Sequence, residues 1–152
     1  MTIIQNEIFY ITGIAIRTTN ENGKSSADIP KLWENFFSEQ AAEKITGKIS
    51  NDIYCVYTDY EKDFTRPYTT VLGCRVEKDA AVPAGFKKIE VPAGNYELFT
   101  AKGNLHENIV FNEWLGIWKL DIKRTYKADY EVYGEKAQNP AKSEVDIFVG
   151  TE

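Results

Sequence analysis

Apolar side chains recur along the chain with two spacings, one typical of strands and one typical of helices. Residues 9–17 alternate between apolar and polar positions, as a β-strand does. The helix predicted next has Asp28 as its cap and Pro30 in its first turn. Its apolar face consists of Ile29, Leu32, Trp33, Phe36 and Phe37. Residues 54–60 and 68–76 follow as two β runs joined by a polar turn, so the first half has the order strand, helix, strand, strand.

The second half repeats that order. Residues 77–85 contain proline and glycine in an alanine-rich stretch, which predicts a linker. Asn104 and Glu107 resemble a capping box ahead of a second helix. The apolar face of this helix consists of Val110, Trp114, Ile117 and Trp118. The strand-like runs of this half are residues 86–91, 94–101, 130–134 and 145–149, the last two joined by a polar loop.

The repeated order predicts the fold. A duplicated strand-helix-strand-strand unit predicts an α+β protein in which a pseudo-twofold antiparallel sheet carries two helices over it. The 152 residues suit a single domain, with internal halves at about residues 1–77 and 78–152. A central groove at the pseudo-twofold axis is a natural ligand site, because separated helices leave concave apolar surface between the halves.

Composition narrows the class of protein. With 43% hydrophobic and 27% charged residues, the chain is typical of a soluble globular fold. The first residues lack the basic and apolar runs of a signal peptide, and no stretch approaches the ~18 apolar residues of a membrane span. We therefore expect a cytoplasmic protein with no membrane partner.

The formal net charge of -5 argues against a nucleic-acid-binding surface, since such affinity comes mostly from cations that neutralise phosphates. The one basic cluster is interpreted as a solvated helix end and contains Lys119, Lys123, Arg124 and Lys127. No helix-turn-helix pattern remains once strands and helices are assigned. We therefore expect no direct contact with nucleic acid.

The residues that usually carry metal or nucleophilic chemistry are sparse. Cys55 and Cys74 match no metal or redox spacing and are interpreted as reduced packing residues. His106 is the only histidine and is interpreted as a solvated residue at a helix start. A metal site or a nucleophilic triad therefore has little support, and no cofactor is expected.

A carboxylate on an aromatic strand is the candidate functional group. Tyr130 and Val132 point to one face of the strand, while Glu131 and Tyr133 point to the other. The face that carries Glu131 is either open to solvent or the wall of a polar, aromatic-lined pocket. A lone glutamate in a sheet is more often solvated, so the strand pattern by itself leaves both interpretations open.

Further aromatic residues are candidates for the lining of such a pocket. Tyr57 and Tyr60 lie on opposite faces of a regular strand and cannot both line one pocket, and Tyr57 is preferred. Trp33 and Trp114 lie on apolar helix faces, and Trp114 is favoured as the ligand-facing one. The remaining candidates are Tyr96, which follows a glycine turn, and Phe148, which alternates with Ile147.

Several segments of the chain resemble a known family. They appear in order at residues 53–60, 68–73 and 91–96, Trp114, and residues 124–133. Together they resemble the landmarks of GyrI-like effector-binding domains, which are similar to the ligand-sensing half of certain AraC and MerR class regulators. The Pro-Ala-Gly-x-Tyr turn and the aromatic-Glu-Val-Tyr strand are the most specific parts of this resemblance. Because nothing that could read DNA precedes Thr2, the resemblance is to free-standing members.

The resemblance implies a duplicated α+β fold with a central aromatic pocket that binds small lipophilic, cationic ligands. The position that matches the family's pocket glutamate is Glu131. The implied role is that of a sensor, a sequestering protein or an accessory to a transcriptional regulator.

Two other functions stay open at this stage. Some GyrI-like members are implicated in hydrolysis of reactive, cyclopropane-bearing toxins, which would make Glu131 and Tyr133 the catalytic residues. The family's gyrase-inhibiting member suggests instead a protein-interaction module that acts on a protein partner through its acidic surface.

Overall fold

One antiparallel sheet forms the frame of the protein in the computed structural model, which describes residues 2–152. Its eight strands are β1 (Thr2–Asn6), β2 (Phe9–Thr18), β3 (Ile53–Thr58), β4 (Tyr68–Val76), β5 (Lys87–Val91), β6 (Gly94–Gly103), β7 (Arg124–Tyr133) and β8 (Ser143–Thr151). The helices are α1 (Ser25–Ser38), the short α2 (Ala41–Lys44) and α3 (Ile109–Trp118). The predicted α+β class is confirmed. None of these helices combines the length and apolarity needed to span a membrane.

The order of the strands shows the duplication. Across the sheet the order is β1-β6-β8-β7-β3-β4-β2-β5. Counted outward from the central β3–β7 pair, β3, β4 and β2 of the first half take the same positions as β7, β8 and β6 of the second half. The edge strands are exchanged between the halves, because β1 pairs with β6 and β5 pairs with β2. Each half of the sheet is therefore completed by a strand from the other half.

The start of α1 differs from its prediction. The helix begins at Ser25, whose backbone N–H donates to the carbonyl oxygen of Thr19. Asp28 therefore lies inside the first turn, where its carboxylate accepts a hydrogen bond from the Thr18 hydroxyl at 2.8 Å. The acidic side chain near the helix start was recognised, but its role as the cap was wrong.

The start of α3 also differs from its prediction. The Asn104 side chain accepts from the His106 N–H and caps a 3-10 turn at Leu105–Glu107. Asn108 then adopts a left-handed conformation, with φ of 59°, and α3 begins at Ile109. Asn104 is therefore a capping residue, but it caps the 3-10 turn that precedes α3 and not α3 itself.

The two faces of the sheet are packed differently. On one face, α1 and α3 each cover a separate apolar cluster, and the space between these clusters lies over the central strands. Among residues 2–152 no helix covers the opposite face, which buries Phe9 and Tyr130 together, with ring centroids 5.2 Å apart. In a flat sheet their strands would lie about 14 Å apart, three strand spacings, so the sheet must curl towards this face.

A pair of glycines permits close contact between β2 and β4. Gly13 and Gly73 lie directly opposite each other. A Cβ atom added to Gly73 would lie 2.0 Å from the Thr12 carbonyl oxygen, and one added to Gly13 would lie 2.2 Å from the Leu72 carbonyl oxygen. The clashing atoms belong to the backbone, so a larger residue would push the two strands apart.

We expect Gly73→Ala to lower the free energy of unfolding by at least about 1–3 kcal/mol, the usual cost of overpacking a core. Denaturant unfolding of purified protein measures this. The matched control is Gly116→Ala in α3, where an added Cβ would meet nothing within 4 Å. Because alanine favours helix over glycine, the control should be neutral or stabilising by up to about 1 kcal/mol. Equal effects of the two changes would contradict the close approach of the strands.

Candidate ligand-binding site

A cavity of about 1410 Å³ lies between α1 and α3, above the central strands. Ten aromatic side chains contribute to its walls, and three of them are tryptophans: Trp33, Trp114 and Trp118. Phe37 and Phe111 also line it and are exposed, at 61% and 46%. The cavity therefore combines aromatic surface with a few polar groups, as small-molecule sites commonly do.

Glu131 is the buried acidic group of this cavity. Only 1% of the residue is exposed, yet its carboxylate has three donors. Tyr57 Oη and Trp114 Nε1 donate to Oε2 at 2.6 Å and 2.7 Å. Tyr133 Oη donates to Oε1 at 2.6 Å. Since a carboxylate offers about four acceptor positions, Oε1 can still accept one further hydrogen bond.

Strand register explains why these groups meet. In the antiparallel pair β3–β7, Cys55 lies opposite Glu131, Tyr57 opposite Asp129 and Ile53 opposite Tyr133. Residues two apart on a strand share a face, so Tyr57 and Tyr133 both project on the side of Glu131. Trp114 approaches from α3 and adds the third donor. The carboxylate is thus held by one residue from each of three elements.

Burial controls the proton affinity of the site. Desolvation raises the pKa of Glu131, and the hydrogen bonds from Tyr133, Tyr57 and Trp114 act in the opposite direction. Desolvation, reinforced by the nearby carboxylate, raises the pKa of Tyr57 and of Tyr133 well above the ordinary range. Both phenols therefore remain protonated donors at neutral pH.

Four of the six sequence-predicted site residues lie together. Glu131, Tyr133, Tyr57 and Trp114 all line the cavity. Two residues that were not selected join them. Trp33 packs its ring edge to face with Tyr133, with centroids 4.7 Å apart.

Tyr60 is the second residue that sequence reasoning excluded, and this exclusion was wrong. It lines the cavity together with Tyr57. The regular strand ends at Thr58, and Asp59 has a φ of 51°, so alternation no longer applies at Tyr60.

Tyr96 and Phe148 do not share the cavity with Glu131, and their grouping with it is corrected. Phe148 lies opposite Tyr130 in the β7–β8 ladder, so both point to the helix-free face. There their rings stack at 4.6 Å, and Phe148 lines a smaller cavity of about 200 Å³. The Tyr96 hydroxyl donates to the Pro92 carbonyl oxygen at 2.6 Å, within the same apolar cluster as Tyr130.

Arg124 was assigned to a solvated basic cluster, and that assignment was wrong. Its side chain is only 5% exposed and lines the cavity. Its Nη2 donates to Asp129 Oδ2 at 2.7 Å, and Asp129 is fully buried. The strand register shifts between these two residues, and Tyr126 between them has a φ of 54°. The charged connection between α3 and β7 has no sequence pattern that predicts burial of the Arg124 side chain.

The curled antiparallel sheet carries two helices that flank a cavity above a buried glutamate, an arrangement typical of a small-molecule-binding domain. Residues 2–150 match the family model Cass2, described as integron-associated effector binding protein. The chain belongs to this family.

Three proteins illustrate the similarity. The chain is 29% identical over 141 residues to YobU of Bacillus subtilis (strain 168), named as a candidate transcriptional regulator protein, with 90% of this chain and 88% of YobU covered. It is similar to an integron cassette protein from the mobile metagenome of Vibrio cholerae, with a TM-score of 0.72, 26% identity and 99% and 95% of the two chains covered. The structure of SAV2435 bound to tetraphenylphosphonium has a TM-score of 0.72 at 15% identity, covering 99% and 93%, which shows a shared fold.

Family membership establishes the broad function. The protein is a small-molecule effector-binding domain related to transcriptional regulators. The predicted family and the small-molecule partner are confirmed at this level.

The raised pKa of Glu131 leads to a prediction about stability. The folded protein holds the proton on Glu131 more tightly than the unfolded chain does. Protonation of Glu131 therefore contributes to the free energy of unfolding, and this contribution is fully present below the ordinary glutamate pKa. It is lost as pH rises through the raised pKa. The free energy of unfolding of the wild type, minus that of Glu131→Gln, should therefore fall with pH across this interval and be flat on either side. Urea unfolding at a series of pH values measures it.

Tyr133→Phe is the companion variant. It removes a hydroxyl that lowers the pKa of Glu131, so the upper end of the interval should move to higher pH. If the free energy of unfolding of the wild type, minus that of Glu131→Gln, instead increased with pH, the three hydrogen bonds would lower the pKa of Glu131 by more than burial raises it.

Proposed function

We propose that the cavity binds lipophilic organic cations and that Glu131 is their counter-ion. The observation that carries this proposal is the buried carboxylate with three donors from the protein and one acceptor position unused. In this role the protein acts as a sensor, a sequestering protein or an accessory to a transcriptional regulator.

Charge and aromatic surface support each other in this proposal. Water screens an ion pair weakly inside a protein, so a buried carboxylate attracts a cation more strongly than an exposed one does. The faces of Trp33, Trp114 and the neighbouring rings would add cation-π contacts of about 0.5–2 kcal/mol each. A delocalised cation is the best match, because removing it from water costs less free energy than for a compact cation and because it has apolar surface to bury.

The fixed donors favour selection by charge. Tyr57, Tyr133 and Trp114 hold the carboxylate in place before a ligand arrives, so little ordering is required on binding. A cation would also favour the ionised form of Glu131 against the proton that burial retains. The related SAV2435 is described as bound to tetraphenylphosphonium, which makes this cation a suitable first probe.

We expect Glu131→Gln to weaken tetraphenylphosphonium binding by about 1–3 kcal/mol, since it removes the charge and keeps the shape. Binding of neutral triphenylphosphine oxide should change much less. Calorimetric or fluorescence titration of both ligands measures the difference. Glu97→Gln is the matched control, because Glu97 is also buried, at 5%, but lies outside the cavity lining. Equal losses for the cation and the neutral ligand would show that Glu131 does not select charge.

Hydrolysis of reactive small molecules is the alternative use of Glu131. The carboxylate would have to accept a proton from water at its one unused acceptor position, and the hydrogen bonds from Tyr57, Tyr133 and Trp114 lower its affinity for that proton. We therefore expect a cyclopropane-bearing alkylating toxin, present in excess over the protein, to be recovered unchanged after long incubation. Chromatography of the mixture measures this. Multiple turnovers that disappear in Glu131→Gln would favour the hydrolase instead. The protein-partner alternative rests on the net charge alone and stays a prediction.

A further inference from the structure

Among the described residues that line the cavity, Arg124 is the one lysine or arginine. We propose that Arg124 is an anchor for a carboxylate or a comparable anionic acceptor on the ligand, so that the natural ligand is amphoteric, with a cation at Glu131 and an acceptor at Arg124. This inference rests on the proposed function and specifies the chemical class of its ligand.

The hydrogen bonds of Arg124 are incomplete. Nη2 donates to Asp129, but Nε and Nη1 are buried and have no acceptor among the described residues. Burial alone would lower the pKa of Arg124, but the adjacent Asp129 carboxylate raises it overall, so the guanidinium stays charged. Buried donors on a charged group are costly to leave unpaired. Arg124 lines the cavity, so a bound ligand is the source we propose for the acceptor; because Nε and Nη1 are enclosed, the guanidinium or its neighbouring rings must shift to meet it.

Asp129 does not supply the missing acceptors. Its Oδ1 accepts from the Gly150 N–H at 2.8 Å, and its Oδ2 accepts from Tyr60 Oη at 2.5 Å as well as from Arg124. The carboxylate is thus engaged by three separate donors. Arg124 therefore has three N–H groups without an acceptor on these two atoms, one on Nε and two on Nη1.

The position of Arg124 relative to Glu131 favours one ligand that contacts both. Trp114 lies beside both groups, with its ring 5.7 Å from the guanidinium carbon and its Nε1 bonded to Glu131. Tyr126 lies 4.3 Å from the same guanidinium carbon and Phe64 lies 5.9 Å from it. An aromatic ligand that carries both a cation and a carboxylate therefore matches the arrangement.

The test uses a matched pair of dyes and one simple cation. Rhodamine B carries a carboxylate beside its cationic ring system, and its ethyl ester lacks the negative charge. Tetraphenylphosphonium reports the Glu131 end alone. The main variant is Arg124→Met combined with Asp129→Asn, which removes both charges while an amide can still accept from Gly150. Arg124→Lys keeps the ion pair but not the forked donors.

We expect the wild type to bind rhodamine B about tenfold or more tightly than its ester, as a charged hydrogen bond allows. The double variant should lose this preference and keep its affinity for tetraphenylphosphonium. Arg124→Lys should also lose most of the preference. If the double variant does not unfold cooperatively, and so is not properly folded, the result for Arg124→Lys is the test of the inference.

Three results would overturn the inference: no preference in the wild type, a preference that persists without the guanidinium, or an equal loss for all three probes. The last would indicate that Arg124 only holds the irregular start of β7. Failure of tetraphenylphosphonium to bind the wild type would instead defeat the proposed cation site, and an Arg124-dependent preference for the carboxylate dye could still be observed.

Discussion

The contact between the Glu131 carboxylate and its three donors is the interaction on which the rest of the site depends. An isolated carboxylate in an apolar interior is very costly, and paired hydrogen bonds are the usual compensation. Here the compensation comes from groups that also form the cavity wall: Tyr57, Tyr133 and Trp114. The same side chains thus stabilise the charge and shape the space beside it. Loss of any one would change both the ionisation of Glu131 and the surface a ligand meets.

The duplicated sheet explains where this contact lies. The two halves meet at the β3–β7 pair, and the helices of the halves stand apart over it. Each helix covers an apolar cluster of its own half, so the space between them belongs to neither cluster. Tyr57 and Tyr133 pack against both clusters and so separate one from the other. A duplicated fold therefore produces a central cavity without any insertion devoted to it.

Sequence reasoning succeeded where the pattern is local. Alternation within one strand placed Glu131 and Tyr133 on a common face, and the ordered family segments indicated the fold. It could not relate the faces of distant strands, so Phe148 was assigned to the wrong side of the sheet. It also could not foresee backbone irregularities. The positive φ of Asp59 brings Tyr60 to the cavity, and the register shift after Arg124 buries a side chain that composition described as solvated.

The exchange of edge strands has a consequence for how the chain acquires its structure. Thr2 pairs with Leu98, so the first strand finds its place only after well over half of the chain is available. Until β5 is present, β2 has one side without a partner, and an unpaired edge invites association with other chains. Neither half can be completed alone, so a growing chain on the ribosome holds an unfinished sheet until the second half emerges. Such long-range pairing favours slow, cooperative folding over the independent folding of two modules.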